Sequence, residues 1–290
     1  MQPVVLYLQS KKNYMKKISL LLASAVCLST AITAQTTGTL KLTKGQKYVV
    51  ENKLSTTSST QVQGQAMEST ADVATVYNIE VKDKTDNNIN LSNTISNIKM
   101  NMSMMGQNIT FDSDKKEDMD GNIGSTLKDF INQPKDIVID HAGNVKPSTD
   151  TSAASGLAKQ LDFDASGYGA ELAFLALPKN PKVGDTWTDN NSGDSTLAKS
   201  ITYTIKEING NVATVSFTGT VSTQKTIEQQ GMEIGTKTKG KISGEEMVDV
   251  KTGVVQTNNS TTEASGTVSA MGQDFPTSTK VTSTTTVKVL

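Results

Sequence analysis

Few residues in this chain are able to do chemistry, and their spacing argues against most reactions. The one histidine, His141, follows Asp140 at the end of an expected strand. A Ser-His-Asp hydrolase would have to use it, yet no Gly-x-Ser-x-Gly turn accompanies it. A turn-adjacent surface position is the expectation. With no second imidazole, a His-based metal cluster is excluded. Asp112, Asp114, Asp118 and Asp120-Gly121-Asn122 suggest a calcium loop. Placing Gly121 as the invariant loop glycine puts Lys116 at the first ligand position and Leu127 at the twelfth, and neither can serve. A solvated loop is expected instead. Glu245 and Glu246 are neighbours on an expected strand, so they point to opposite faces and cannot by themselves form a glycosidase pair. No catalytic residue, metal ligand or cofactor is assigned, and the expectation is a non-enzymatic protein.

The methionines carry the best functional hint. Met100, Met102 and Met104 share one strand face, and Met67, Met232, Met247 and Met271 lie on related strands. Flexible thioethers suit surfaces that accept varied apolar ligands; they also suit plain core packing. The candidate lining residues for a ligand are Met100, Met102, Met104, Phe130, Leu172 and Phe217. Gly184-Asp185-Thr186-Trp187 holds the only tryptophan. It reads as a turn with a core anchor, or alternatively as an exposed aromatic platform.

Composition narrows the partners. All the cations are lysine, and the net charge is -1 over 290 residues. Without arginine forks or a basic field, nucleic-acid recognition is not expected. Hydrophobic content is 35% and aromatic content 4%. Any core must therefore be built from Val, Ile, Leu and Met more than from rings. Threonine is the commonest residue, and its branched Cβ suits strands.

Met15-Lys16-Lys17, the apolar run Ile18 to Leu28 and Ala31-Ile32-Thr33-Ala34 read as a signal peptide, with Met15 as the expected start and residues 1–14 upstream of it. The apolar run is too short to span a membrane. Cleavage before Gln35 removes Lys11, Lys12, Lys16 and Lys17 from the 28 cations and none of the 29 acids, leaving -5. The single cysteine, Cys27, lies inside the signal, as an ordinary apolar residue or as a lipidation site preceded by an unfavourably bulky Val26. The expected location is exported: periplasmic, outer-membrane-associated or extracellular.

The elements follow from periodicity. Residues 35–112 read as strands, with alternation at Tyr77, Ile79 and Val81, turn chemistry at Asp86-Asn87-Asn88 and tips at Gly64 and Gly106. Ile89, Leu91 and Ile95 keep one phase; Ile98, Met100, Met102 and Met104 keep the other. That change of phase predicts a bulge near Ser96-Asn97. The middle segment, 113–190, differs. Asp112 to Asn122 reads as a charged loop, and Ile123, Leu127, Phe130 and Ile131 fall at helical spacing. Ile137-Val138-Ile139 reads as a strand. Ala153 to Leu161 and Gly169 to Ala176 read as short helices, stopped by Pro178 and Pro181. Residues 201–290 return to strands, with turns at Asn209-Gly210-Asn211, Gln230-Gly231, Lys251-Thr252-Gly253 and Met271-Gly272-Gln273-Asp274.

The tips of 35–112 and 201–290 match in order, which reads as an internal duplication, or as chance similarity in a biased composition. Residues 1–34 then form the removed leader and 35–290 one β-rich domain. The expected fold is α+β and β-dominated: a long curved antiparallel sheet or partial barrel from two related meanders, with short central helices across its concave face.

Lys44-Gly45-Gln46-Lys47-Tyr48 and Leu177-Pro178-x-x-Pro181-x-Val183-Gly184-Asp185-x-Trp187 resemble exported proteins of Gram-negative bacteria grouped only as a domain of unknown function. The resemblance implies export and no assigned activity, and it transfers no catalytic residues. A looser similarity of shape is to periplasmic lipoprotein carriers, whose curved sheet is closed by helices. The expected function is binding or carriage of an apolar or amphipathic small molecule or lipid in the cell envelope. The alternative is a structural or interaction scaffold there.

Overall fold

The computed structural model describes residues 38–62, 64–104, 106–146, 168–191, 197–229, 232–270 and 272–290. The expected helix at Ala153 to Leu161 and the expected turn at Gln230-Gly231 lie outside these. Eleven strands form one antiparallel sheet. In chain order they are β1 (Lys47–Val62), β2 (Gln65–Lys84), β3 (Ile89–Met104), β4 (Gln107–Asp112), β5 (Lys135–Ile139), β6 (Thr186–Asn191), β7 (Leu197–Asn209), β8 (Val212–Gln229), β9 (Met232–Asp249), β10 (Val255–Ala270) and β11 (Gln273–Val289). Among the described residues three short helices interrupt them: α1 (Lys116–Asp120), α2 (Asn122–Leu127) and α3 (Tyr168–Ala173).

The strand order is β4-β3-β2-β1-β11-β10-β9-β8-β7-β6, and β5 pairs with β3 beside β4. The first and last long strands therefore meet in the middle of the sheet, from Tyr48↔Val289 to Thr60↔Thr277. At 20 residues, β2 would span roughly 65 Å if straight. Hairpin glycines at Gly64, Gly106, Gly210, Gly253 and Gly272 have φ from 60° to 81°, the left-handed conformation that tight turns require. The bulge predicted from the change of phase is present: Tyr77 pairs with Ile95 and Val76 with Asn97, leaving Ser96 as the extra residue. The Ser96 hydroxyl donates to the Val76 carbonyl at 3.2 Å.

One end of the sheet holds the core. Leu40, Val50, Ile79, Leu91, Ile98 and Leu127 are buried in a first cluster built on β1, β2, β3, β5 and α2. Trp187, Tyr203, Ile205, Val215, Phe217 and Val248 form a second on β6 to β9. The segment 38–42 crosses this end and ties the two halves. Gly38 donates to the Leu177 carbonyl at 2.7 Å, Leu40 to that of His141 at 2.9 Å and Lys41 to that of Thr252 at 3.1 Å. Trp187 stacks on Tyr203 with centroids 5.2 Å apart, so it is the core anchor and not an exposed platform.

Two readings of the middle segment need correction. The expected charged loop contains α1, closed by an i,i+4 ion pair between Lys116 and Asp120. The helix expected through Ile131 ends at Leu127; Ile131 instead bridges Ile95 on the edge of β3. Ile131 still donates to the Leu127 carbonyl at 3.1 Å, and the next residue, Asn132, donates to that of Ile95 at 2.7 Å. Met247 also differs, since it points away from the core and is exposed.

Candidate functional site

Cross-strand register assigns every strand residue to one of two faces. The face carrying both core clusters is the inner one. Near the core, five buried polar residues occupy one row across five adjacent strands. They are Thr75 on β2, Asn52 on β1, Thr285 on β11, Asn258 on β10 and Glu246 on β9, each paired in register with the next. Ile98 and Val215 close the row at either side. A buried polar group costs free energy unless it is hydrogen-bonded, so such a row demands partners. Asn52 donates to Ser283 and Thr285, both at 2.9 Å. Asn258 donates to Oε1 of Glu246. Oε2 of Glu246 is buried and has no partner. Helix α3 packs against β1, β2 and β10, three strands of this region.

Burial raises the Glu246 carboxyl from 4.5 to about 7, against the lowering effect of the Asn258 hydrogen bond. Tyr203 is raised by burial, with the negative charges of Glu246, Asp189 and Glu171 adding to it. Asp189 is raised by burial and then by Asp140, while Lys199 opposes the shift. Lys199 lies 3.7 Å from Glu171 of α3.

Beyond the row, toward the tips, the inner face changes character. Inward positions of β1, β2, β9, β10 and β11 are all Gly, Ala, Ser, Thr, Val, Ile, Leu, Met, Phe or Gln, with no charged residue. Leu54, Val73, Ile242, Thr262, Val268 and Val281 are representative, and each is half-buried. The charges of these strand segments, including Asp72, Lys237, Lys239, Lys241, Glu263 and Lys280, all point outward and are exposed. Inward hydroxyls bond sideways to each other, Ser58 to Thr279 at 2.9 Å and Thr60 to Thr277 at 3.0 Å. With their polar atoms engaged along the sheet, these threonines present methyl groups to the interior.

A line of inward glycines bends this face. A Cβ on Gly219 would lie 2.3 Å from the Ser200 carbonyl oxygen, on Gly240 2.4 Å from that of Glu263 and on Gly266 1.9 Å from that of Lys237. A neighbouring backbone can meet an inward Cβ only if the adjacent strand folds up toward that side. The three glycines step diagonally across β8, β9 and β10, so they form a crease that makes the inner face concave.

The residues expected to line a ligand site are distributed as follows. Met100 is buried in the first cluster against its pair partner Phe111, and Met102, Phe130 and Leu172 pack half-buried on the same cluster. Met104 ends β3 opposite Gln107, and its side chain lies outside the described residues. Phe217 belongs to the second cluster, tilted against Tyr203 at 5.7 Å. Four of them thus gather on the first cluster, and Phe217 lies in the second. The His141 ring is held at 3.0 Å from the Thr85 carbonyl by its Nε2. Glu246, Asn258, Asn52 and Thr285 were not expected as site residues. The available signal was a single carboxylate in the inward phase of β9, after Ile242 and Gly244 and before Val248. A shallow depression of about 360 Å³ on β9, β10 and β11 is bordered by Ser243, Gly244, Asn259, Ser260, Thr261, Thr282, Ser283 and Thr284.

The fold and its inner face define a class: an open antiparallel sheet, packed at one end and lined at the other, on β1, β2, β9, β10 and β11, with uncharged side chains. The chain belongs to a family of unknown function, DUF6263, whose profile matches residues 86–168 and 151–255. No curated protein matches. Among solved structures, one on lipid–protein interactions in lipovitellin matches 86% of this chain at 14% identity and a TM-score of 0.47. This chain spans only 26% of that one. An outer-membrane channel from Pseudomonas putida F1 matches 86% of this chain and 97% of its own at 10% identity, with a TM-score of 0.27. OpdQ of Pseudomonas aeruginosa matches 86% and 100% at 6% identity, with a TM-score of 0.21. All three scores are low, and the family assignment rests on the family profile alone.

Proposed function

We propose that this is an exported cell-envelope protein that binds or carries an apolar or amphipathic molecule without catalysing a reaction on it. One observation carries the reading: beyond the buried row the inward positions of β1, β2, β9, β10 and β11 are mostly half-buried and carry no charge, while the same strands are charged outside. A sheet face needing only solubility would gain from charge on both sides. The uncharged side chains of these strands share one face, which suits an aliphatic body better than a polar one. The non-catalytic part rests on the sequence, where His141 lacks a Gly-x-Ser-x-Gly partner. No helix among the described residues is long and apolar enough to cross a membrane.

A second reading, a structural scaffold of the envelope, draws on the filled core end, where Leu40, Ile98, Leu127 and Ile205 have no exposure. Native mass spectrometry and solvent extraction of protein purified from its exporting host separate the two. Carriage predicts a co-purifying amphiphile at near-stoichiometric amount. Protein that is empty, and that also takes up no added amphiphile, supports the scaffold.

A further inference from the structure

We propose that Glu246 and Asn258 are the head-group site for that molecule, and that the ligand is an aliphatic amphiphile whose head donates hydrogen bonds: an amine or an alcohol rather than a fatty acid. This rests on the carrier reading and adds a ligand class to it.

The geometry begins with an incomplete polar pair. Glu246 is only 7% exposed and Asn258 9%. Asn258 engages Oε1, and Oε2 is left without a partner. A buried carboxylate accepts several hydrogen bonds when ionised, and leaving one oxygen unmatched is costly. The missing component is a donor.

On β10 and β11 only small residues stand between the uncharged face and the pair. The inward positions next to the row on the tip side are Gly244 on β9, Ser260 on β10 and Ser283 on β11. The Phe217 ring leans over Gly244, where a Cβ would come within 2.4 Å of it. Small residues thus lead from the concave face to Glu246, with one aromatic wall beside them. An aliphatic chain lying along β10, past Gly266, Ala264 and Thr262, would bring its head to this point.

The surrounding charges select the head. The negative charges of Glu246, Asp189 of β6 and Glu171 of α3 all bear on Tyr203 of β7, and Lys199 of β7 lies 3.7 Å from Glu171. A carboxylate head would add a negative charge to this group. An ammonium or hydroxyl head would supply the missing donor, and an ammonium would also relieve the repulsion.

The test uses the protein without its signal segment, a neutral fluorescent probe (N-phenyl-1-naphthylamine) and three chain-matched competitors at pH 8.5: dodecylamine, dodecanol and dodecanoate. Dodecylamine and dodecanol should displace the probe at concentrations about tenfold below that of dodecanoate. Glu246→Gln keeps the size of the side chain and removes its charge; it should bring dodecylamine to within about threefold of dodecanoate. Dodecanoate binding as well as the amine, or an amine preference that survives Glu246→Gln, overturns the assignment while leaving carriage intact. Failure of all three competitors and the probe to bind overturns carriage as well. If Glu246→Gln does not fold, the head-group order in the unmodified protein decides alone.

Discussion

Asn258 donates its side-chain amide to one oxygen of Glu246 from the neighbouring strand, and the second oxygen of that carboxylate is buried without a partner. This pair makes stability depend on pH in an unusual direction. The folded protein holds the Glu246 proton up to about 7, against 4.5 for the free side chain. Between those values the folded state binds more protons than the unfolded state. The contribution favours folding fully below 4.5 and is lost as pH rises through about 7. Most surface carboxylates act in the opposite sense. Glu246→Gln should flatten this slope and stabilise the ligand-free protein at pH 8 by up to about 3 kcal/mol. Urea unfolding from pH 4.5 to 8 checks it; a variant less stable than the parent at pH 8 contradicts it.

The crease predicts opposite outcomes for one substitution at two glycines. Gly266→Ala places a Cβ against the Lys237 carbonyl and should cost about 1–3 kcal/mol. At Gly235 a Cβ would find its nearest atom, in Ser269, at 3.5 Å. There the alanine should be neutral or stabilising by roughly 0.5 kcal/mol, because a glycine inside a strand carries an entropic penalty. Thermal unfolding of both variants reads the difference.

Trp187 and Leu40 report on the two core clusters. Trp187→Ala removes the ring stacked on Tyr203 and should destabilise by about 3–5 kcal/mol. Leu40→Ala should cost about 2–5 kcal/mol, since Leu40 is fully buried where segment 38–42 crosses the core end. Denaturant titration followed by circular dichroism would measure both. A loss under about 1 kcal/mol at either would place that side chain outside the cooperative core.

Much of this fold was legible in the sequence where the signal is local. The change of phase between Ile95 and Ile98 fixed the Ser96 bulge, because alternation within one strand needs no partner to be read. Gly210 and Gly253 marked turns, and Trp187 beside a Gly-Asp turn marked a core anchor. The buried row was not legible. Asn52 and Thr285 lie 233 residues apart, and only the register between the first and last long strands brings them together. The crease was hidden for the same reason, since Gly219, Gly240 and Gly266 align only across β8, β9 and β10. Of the methionines, Met100 packs in the core and Met247 faces outward. Residue type alone does not distinguish a lining position from a packed one.

The central claim is that the uncharged inner face is where the ligand lies. Val281 points inward and its neighbour Thr282 points outward on the same strand. The decisive measurement is binding of N-phenyl-1-naphthylamine to the parent, Val281→Lys and Thr282→Lys, each shown to be folded by circular dichroism. The account predicts that Val281→Lys weakens binding at least about tenfold, because a lysine charge on the apolar seat must be desolvated, and that Thr282→Lys leaves it unchanged. Equal binding by all three, or loss in Thr282→Lys alone, would contradict it.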